Sequence, residues 1–236
     1  MNNFDTDLNL ITEKLVFITG LTRSGKSLLC PIISSLKNSE MFFTDANAEN
    51  VSYLHALRKI SYPVAKFLFK LSLNERIYNL SIGRNLNTRK LDYTSIFKFR
   101  NPKIYLKRLK SLEGDAVLKK KKLKSAIFPI MFHDALINPK LILDCFPNSK
   151  ILFIKKSVTE LIKEWIIKGY SGNFFSNPRN VTLSYLYKKK YFLPYWCYKK
   201  EKIFFKAKNN EEKVLFLIHN LLKNKYNKYK KLKLKY

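Results

Sequence analysis

Acidic residues are scarce in this chain of 236 residues, because 17 Asp and Glu stand against 46 Lys and Arg and leave a formal net charge of +29. Arginine is scarce as well, since only eight of the cations are arginines. The abundance of Lys, Asn, Ile, Tyr and Phe is typical of an AT-rich genome, so compositional bias is one explanation of this surplus. Net charge governs association and not the fold, so attraction to polyanions is the other. A surplus made of lysine favours phosphate, sulfate or an acidic glycan over specific nucleic acid, because base edges are better matched by the planar arginine fork.

Cysteines and long apolar runs are also few. Cys30, Cys145 and Cys197 are far apart and show no C-x-x-C spacing, so neither a disulfide framework nor a zinc site is expected. No stretch approaches the roughly 20 apolar residues of a membrane-spanning helix. The first residues carry Asp5 and Asp7 instead of the basic start of a secretory signal. We therefore expect a cytoplasmic protein whose contact with a membrane is at most peripheral.

The apolar content excludes a disordered basic tail protein. Hydrophobic residues make up 46% of the chain and aromatic residues 14%, which is enough to build a core. At this length the sequence predicts one domain over residues 1–236. Within it we expect a helical insertion over 45–125 and a basic tail over 223–236.

Three short apolar runs predict buried strands: Leu15–Thr19, Ala126–Phe132 and Ile151–Ile154. A helical pattern follows each of them. Continuous apolar strands that alternate with helices predict an α/β fold with a parallel sheet covered by helices on both faces. The insertion shows helical patterns and is expected to be mobile and to carry substrate contacts. The C-terminal part is predicted to be helical, mainly over Glu211–Leu222.

The strongest local signal lies between the first strand and the first helix and matches G-x-x-x-x-G-K-[ST] in full. Its residues are Gly20, Leu21, Thr22, Arg23, Ser24, Gly25, Lys26 and Ser27. A tight turn with glycines lets backbone N–H groups converge on phosphate oxygens, and the helix N-terminus adds positive potential. Lys26 would reach the terminal charged group, and Ser27 would hold Mg²⁺ if the ligand were a nucleoside triphosphate. The motif predicts an anion site without deciding which group is transferred.

The segment Ile18–Leu29 resembles the 5′-phosphosulfate loop of the sulfotransferases, usually G-x-x-[RK]-[ST]-G-T-[TS]-x-L, with Lys26 where that family has Thr. The segment Leu143–Trp165 is similar to a second sulfotransferase pattern, L-x-x-x-F-P-x-A-K-x-I-x-I-x-R-D-P-x-x-x-x-x-S-W. The residues that match it by position are Phe146, Pro147, Lys150, Ile154 and Trp165, and Leu152 replaces the first Ile.

The resemblance to a divergent, bacterial-type sulfotransferase implies a three-layer P-loop fold and the donor 3′-phosphoadenosine 5′-phosphosulfate. In that family an Arg and a Ser of the second pattern bind the 3′-phosphate. Here Lys156 stands at the Arg position and Glu164 at the Ser position. A carboxylate at Glu164 would repel the 3′-phosphate unless the contact has shifted to Ser157 or Lys163.

The resemblance also implies a catalytic base at the end of the second strand, where His133 lies. A sulfuryl transfer needs a base for the acceptor proton and cations for the charge on the leaving nucleotide. His133 would be that base, with Arg23 and Lys26 on the phosphosulfate. Asp134 is the substitute base, and a purely structural role for His133 at the strand end stays open. His55 and His219 are expected to be ordinary surface or core residues.

Three functions follow from these features. The first is a sulfotransferase-like enzyme that transfers a sulfuryl group to a hydroxyl or amine. A glycan is one candidate acceptor. The second is a P-loop kinase or NTPase that uses ATP or GTP with Mg²⁺ and for which Asp144 is a candidate Walker B aspartate, although its surroundings suggest a helix end. The third is a polyanion-binding protein with a vestigial nucleotide site, whose affinity for nucleic acid would fall steeply with salt.

Overall fold

A parallel sheet of three strands lies at the centre of the fold. The computed structural model describes residues 10–111, 113–119, 125–171 and 182–231. The strands are β1 (Leu15–Gly20), β2 (Phe128–Phe132) and β3 (Lys150–Ile154), and their order in the sheet is β2-β1-β3. The three strands predicted from the sequence are confirmed, with ends shifted by up to two residues. The chain is therefore an α/β protein, and a sheet of this kind is compatible with a P-loop-like architecture.

The parallel register aligns the carboxyl ends of the strands at one edge of the sheet. Thr19 of β1 pairs with Phe132 of β2 on one side and with Phe153 of β3 on the other. Residues 39–43 run parallel along the far side of β2 and make isolated bridges to it, which extends the sheet by one short segment. The loops that follow these four segments therefore leave the sheet side by side.

Helices flank the sheet, and a small hairpin follows them near the C-terminus. The helices are α1 (Lys26–Ser34), α2 (Ala46–Ala56), α3 (Tyr62–Ile82), α4 (Pro102–Leu109), α5 (Gly114–Lys119), α6 (Pro139–Cys145), α7 (Val158–Ile167), α8 (Glu201–Lys206) and α9 (Asn210–Lys231). The antiparallel hairpin consists of β4 (Ser184–Tyr187) and β5 (Tyr191–Pro194).

The main core lies between the sheet and α3. Phe17 of β1 packs against Phe69 of α3 and edge-on against Phe132 of β2, and all three rings are fully buried. On the opposite face of the sheet, Cys30 of α1 is buried against Ile18. Burial of large aromatic side chains stabilises such a core by about 1.5–3 kcal/mol each.

Two parts of the chain differ from the sequence-based expectation. The sequence favours a mobile insertion over 45–125, but the longest helix of that region, α3, supplies buried residues of the main core such as Phe69, Leu73 and Ile77. The sequence also favours an all-helical C-terminal part, whereas the structure places the β4–β5 hairpin there before α8 and α9. Of the basic tail predicted over 223–236, the side chains of residues 224–236 lie outside the described part of the chain.

None of the helices in the described part of the chain is both long and apolar enough to cross a lipid bilayer.

A buried ion pair ties the strand segment 39–43 to α4. Arg108 Nη1 lies 2.8 Å from Glu40 Oε2 and Nη2 lies 3.2 Å from Oε1, and both side chains are only 9% exposed. Tyr105 also donates its hydroxyl to Glu40 and accepts the backbone N–H of Met41. Removing one partner of such a pair is costly, because the other charge then stays buried without compensation.

We expect Arg108→Met to lower the free energy of unfolding by about 3–5 kcal/mol, which is the usual cost of an orphaned buried charge. Chemical denaturation of both proteins measures this difference. The matched control is Lys140→Met, which breaks the exposed Lys140–Asp144 pair on α6 and is expected to cost less than about 1 kcal/mol. Equal costs for the two variants would contradict the role given to Arg108.

Candidate functional site

The loop Gly20–Ser27 joins the carboxyl end of β1 to the first turn of α1. Gly25 caps α1 in the left-handed conformation, with φ of 101°, and no side chain occupies the cap. The first N–H groups of a helix have no partner within it. A side chain at Gly20 would be too close to the Ile154 carbonyl, since its Cβ would lie 2.6 Å from that oxygen. The loop therefore presents backbone N–H groups and needs glycine where β3 approaches it.

Two side chains of the loop point inward. Lys26 is 5% exposed, and its Nζ donates to the carbonyl oxygens of Gly20 at 2.8 Å and Leu21 at 2.9 Å. Ser24 is 8% exposed, and its Oγ has no hydrogen-bond partner among the described residues. A buried polar atom without a partner is rare and calls for one. The Lys26 ammonium thus satisfies the carbonyl oxygens at the start of the loop. The Ser24 hydroxyl remains available to a ligand.

One cation of the loop and one cation after β3 contact the same carboxylate. Arg23 Nε donates to Glu164 Oε2 at 2.8 Å, and Lys156 Nζ lies 3.6 Å from Glu164 Oε1. The next residue of α7, Trp165, donates its indole N–H to the Thr22 carbonyl at 3.0 Å. Two consecutive residues of α7 therefore hold two consecutive residues of the loop. Lys156 thus lies within reach of the loop through Glu164.

Glu164 is the residue that the sequence marks as unfavourable for an anion, and the structure shows how it is neutralised. The hydrogen bond and charge of Arg23, together with the charge of Lys156, lower the pKa of the Glu164 carboxyl below its ordinary value. Glu164 is therefore ionised at neutral pH and screens both cations. Ser157 and Lys163, the alternative anion contacts, are both exposed.

His133 follows β2 and lies one register position beyond the Thr19–Phe132 pair, next to the start of the loop. Its Nδ1 is 3.1 Å from each carboxylate oxygen of Glu49, and its backbone N–H donates to the same carboxylate at 3.2 Å. Glu49 is 5% exposed, whereas the His133 side chain is 41% exposed. The buried carboxylate thus orients an accessible imidazole, as a second group orients the base in catalytic dyads and triads.

A cavity of about 40 Å³ lies beside His133 and the loop. Tyr53 and Tyr195 stack in its wall with ring centroids 4.2 Å apart. Tyr53 donates its hydroxyl to Glu49, and Tyr195 donates to Asp134. Burial and the neighbouring carboxylates raise the pKa of both tyrosines well above the ordinary value, so both stay neutral and serve as donors. Asp134 is 3% exposed, which leaves His133 as the accessible base of the pair.

Glu49 is the member of this site that sequence reasoning does not find. It lies on α2, within the insertion, and belongs to no motif. The only available signal for Glu49 is Asp45, whose side chain accepts the Ala48 N–H and caps α2, so that Glu49 falls in the first turn.

The remaining candidates lie away from the loop or form no site. Asp144 lies in α6, at the helix end that the sequence suggests, and binds Lys140 and Tyr62 instead of following a strand. His55 contacts Asn138 and the ring of Tyr62. Across the described ranges, no group of three or more His, Cys, Asp or Glu side chains is arranged to hold a metal ion.

Comparisons of the chain with protein-family models, with curated proteins and with solved structures find no match. The geometry of this site is therefore the basis for assigning a function.

The Glu49 contact predicts the tautomer of His133. A carboxylate accepts only, so Nδ1 of the neutral ring must carry the proton and Nε2 must be free of it. His55 serves as the internal control, because Asn138 Nδ2 lies 2.8 Å from its Nδ1 and donates to it, which places the His55 proton on Nε2. Imidazole ¹⁵N shifts at pH 8 report both rings, and the chain has only three histidines.

In Glu49→Gln we expect His133 to lose its preference for the Nδ1–H form, because the amide that replaces the carboxylate can donate as well as accept. The His55 signals are expected to stay unchanged. An Nε2–H form of His133 in the unmodified protein would contradict the dyad.

Proposed function

We propose that this protein is a sulfotransferase-like enzyme with a P-loop fold, which transfers a sulfuryl group from 3′-phosphoadenosine 5′-phosphosulfate to a hydroxyl or amine acceptor. The observation that carries the proposal is the junction at Glu164, where a cation of the loop and a cation from the end of β3 lie within reach of one carboxylate. A nucleotide with phosphates at both its 5′ and 3′ positions presents charge to both.

The loop fits the 5′ end of such a nucleotide. Its helix N-terminus is free of a side-chain cap, and the buried Ser24 hydroxyl lacks a partner within the described chain. Helix N-termini favour phosphate and sulfate because unpaired N–H groups and the helix dipole act together. Lys26 and Arg23 supply positive charge where the leaving phosphate accumulates negative charge.

Lys156, which follows β3, can bind the 3′-phosphate when its contact with Glu164 breaks. Lys156 is 26% exposed and its 3.6 Å contact with Glu164 is longer than an ordinary charge-assisted hydrogen bond. An incoming phosphate therefore competes with a weak contact. Glu164 keeps its shorter bond to Arg23 in this arrangement.

His133 is the base in this proposal, and Glu49 is the residue that positions it. With its Nδ1 proton held by Glu49, the ring offers Nε2 to the acceptor hydroxyl. The acceptor oxygen gives its proton to Nε2 and forms the new bond to sulfur, while the bond from sulfur to the phosphate oxygen breaks. The proton ends on the imidazole and the electron pair ends on the nucleotide phosphate, beside Lys26.

A kinase or NTPase is the second candidate, and the sequence Lys26-Ser27 favours it. A magnesium-dependent enzyme of this kind needs a carboxylate near the loop to hold the ion. Asp144 lies on α6, in contact with Lys140 and Tyr62. Asp134, which follows β2, accepts the Tyr195 hydroxyl and is buried. These placements favour the sulfotransferase over the kinase.

We expect calorimetric titration to show binding of adenosine 3′,5′-bisphosphate, the product nucleotide, without Mg²⁺. Lys26→Met is expected to weaken this binding at least about tenfold, because a charge-assisted contact worth roughly 1.5–3 kcal/mol is lost. Tight binding of Mg-ATP together with no binding of the bisphosphate at millimolar concentration would replace the sulfotransferase by the kinase. Transfer of ³⁵S-sulfuryl to a panel of glycan acceptors then tests turnover.

We also expect Glu164→Gln to bind the bisphosphate about five- to tenfold more tightly, because the carboxylate that neutralises Arg23 and Lys156 is gone. The matched control is Glu160→Gln, which removes an exposed carboxylate one turn earlier on α7 and is expected to leave the affinity within about twofold. Weaker binding in Glu164→Gln would mean that Glu164 itself contacts the nucleotide favourably.

A further inference from the structure

A second pocket lies beside the segment 39–43 and is lined by its last residues and by Thr44, which follows it. Its volume is about 90 Å³, and its walls come from the end of that segment, from α3 and from the chain that follows α3. The polar residues that line it are Thr44, Arg76, Arg84, Asn85, Asn87 and Thr94. This space equals about three waters or one small polyatomic anion. None of its lining residues is acidic.

Arg76 is the unusual member of the pocket. Its Nε is buried and has no hydrogen-bond partner in the described part of the chain. The guanidinium lies over the ring of Phe43, with Cζ 5.9 Å from the ring centroid. A buried donor on a charged group costs free energy unless a partner satisfies it. The Arg76 Nε–H is therefore a cationic donor that an anionic ligand in the pocket could satisfy.

Arg84 adds a second cation to the same pocket. It is exposed and rests near the ring of Tyr78, with Cζ 5.8 Å from the centroid, a contact that leaves its N–H groups accessible. The nearby carboxylate of Asp92 accepts from Asn87 at 3.1 Å and is itself exposed. Two guanidiniums with planar donor forks suit a carboxylate, sulfate or phosphate group, to which arginine binds in a bidentate manner.

We propose that the pocket between Arg76 and Arg84 binds an anionic group of the acceptor substrate. The assignment to the acceptor rests on the proposed function, whereas the anion site stands on the pocket alone. Thr44 follows the segment beside β2, His133 follows β2 and Gly20 ends β1, so the second pocket lies on the side of His133 away from the proposed nucleotide contacts after β3. An acceptor anchored there extends along the sheet edge toward His133. The acceptor class is thus an anionic molecule, such as a uronate-bearing or sulfated sugar.

The test follows the arginine Nε–H signals in a ¹⁵N spectrum during titration with sodium D-glucuronate or sodium sulfate at constant ionic strength. The chain has only eight arginines, so the Arg76 and Arg23 signals report the two sites separately. We expect both probes to shift the Arg76 signal in the unmodified protein and in Lys26→Met. In Arg84→Met we expect at least about tenfold weaker binding at Arg76, whereas Arg58→Met, which removes an exposed arginine elsewhere, leaves it unchanged.

The same titration with adenosine 3′,5′-bisphosphate already bound separates the two proposals. An unchanged response of Arg76 to glucuronate supports an acceptor pocket distinct from the nucleotide site. Displacement of glucuronate by the bisphosphate would overturn that assignment, because the pocket would then belong to the nucleotide. A response of Arg23 without one of Arg76 would overturn the pocket and leave the nucleotide site standing. A response of Arg76 in a protein that does not bind the bisphosphate would keep the anion site and remove the sulfotransferase.

Discussion

The parallel alignment of β2, β1 and β3 is the constraint on which the site depends. Hydrogen bonding in register forces the three carboxyl ends to one edge, so that residues more than a hundred positions apart in sequence become neighbours. This alignment places His133 on one side of the loop after β1 and Lys156 on the other. Open α/β sheets bind ligands at this edge because the helices that follow the strands direct their N-termini toward it.

Charge balance shapes the site as strongly as position does. The chain carries a large positive surplus, yet Arg23 of the loop and Lys156 after β3 share the carboxylate of Glu164. The carboxylate lowers the cost of holding two like charges together without a ligand. Under the proposed function, the 3′-phosphate of the nucleotide replaces Glu164 as the partner of Lys156. The buried Glu49 acts in a different way, because it orients a single imidazole and stays out of reach of solvent.

Several elements were predictable because their signals are local. The three strands follow from short apolar runs, and α1 begins at the residue that the motif indicates, Lys26. The hairpin was not predictable in this way. Its tip carries Lys188 and Lys189 with φ of 50° and 54°, a conformation that usually calls for Asn-Gly, so the familiar turn signal is missing. The role of α3 in the core was also not predictable, because its apolar residues do not reveal which partner they pack against.

The sequence by itself determined the glycine loop between β1 and α1, since a turn of glycines between a strand and a helix needs only neighbouring residues to form. It also determined that His133 follows the second strand and that Lys156 follows the third. Only the tertiary structure decided that Glu49 holds His133, that Glu164 bridges Arg23 to Lys156, and that Arg76 faces a pocket. These contacts join distant segments, and the packing of helices against the sheet sets their distances, which no local pattern of residues encodes.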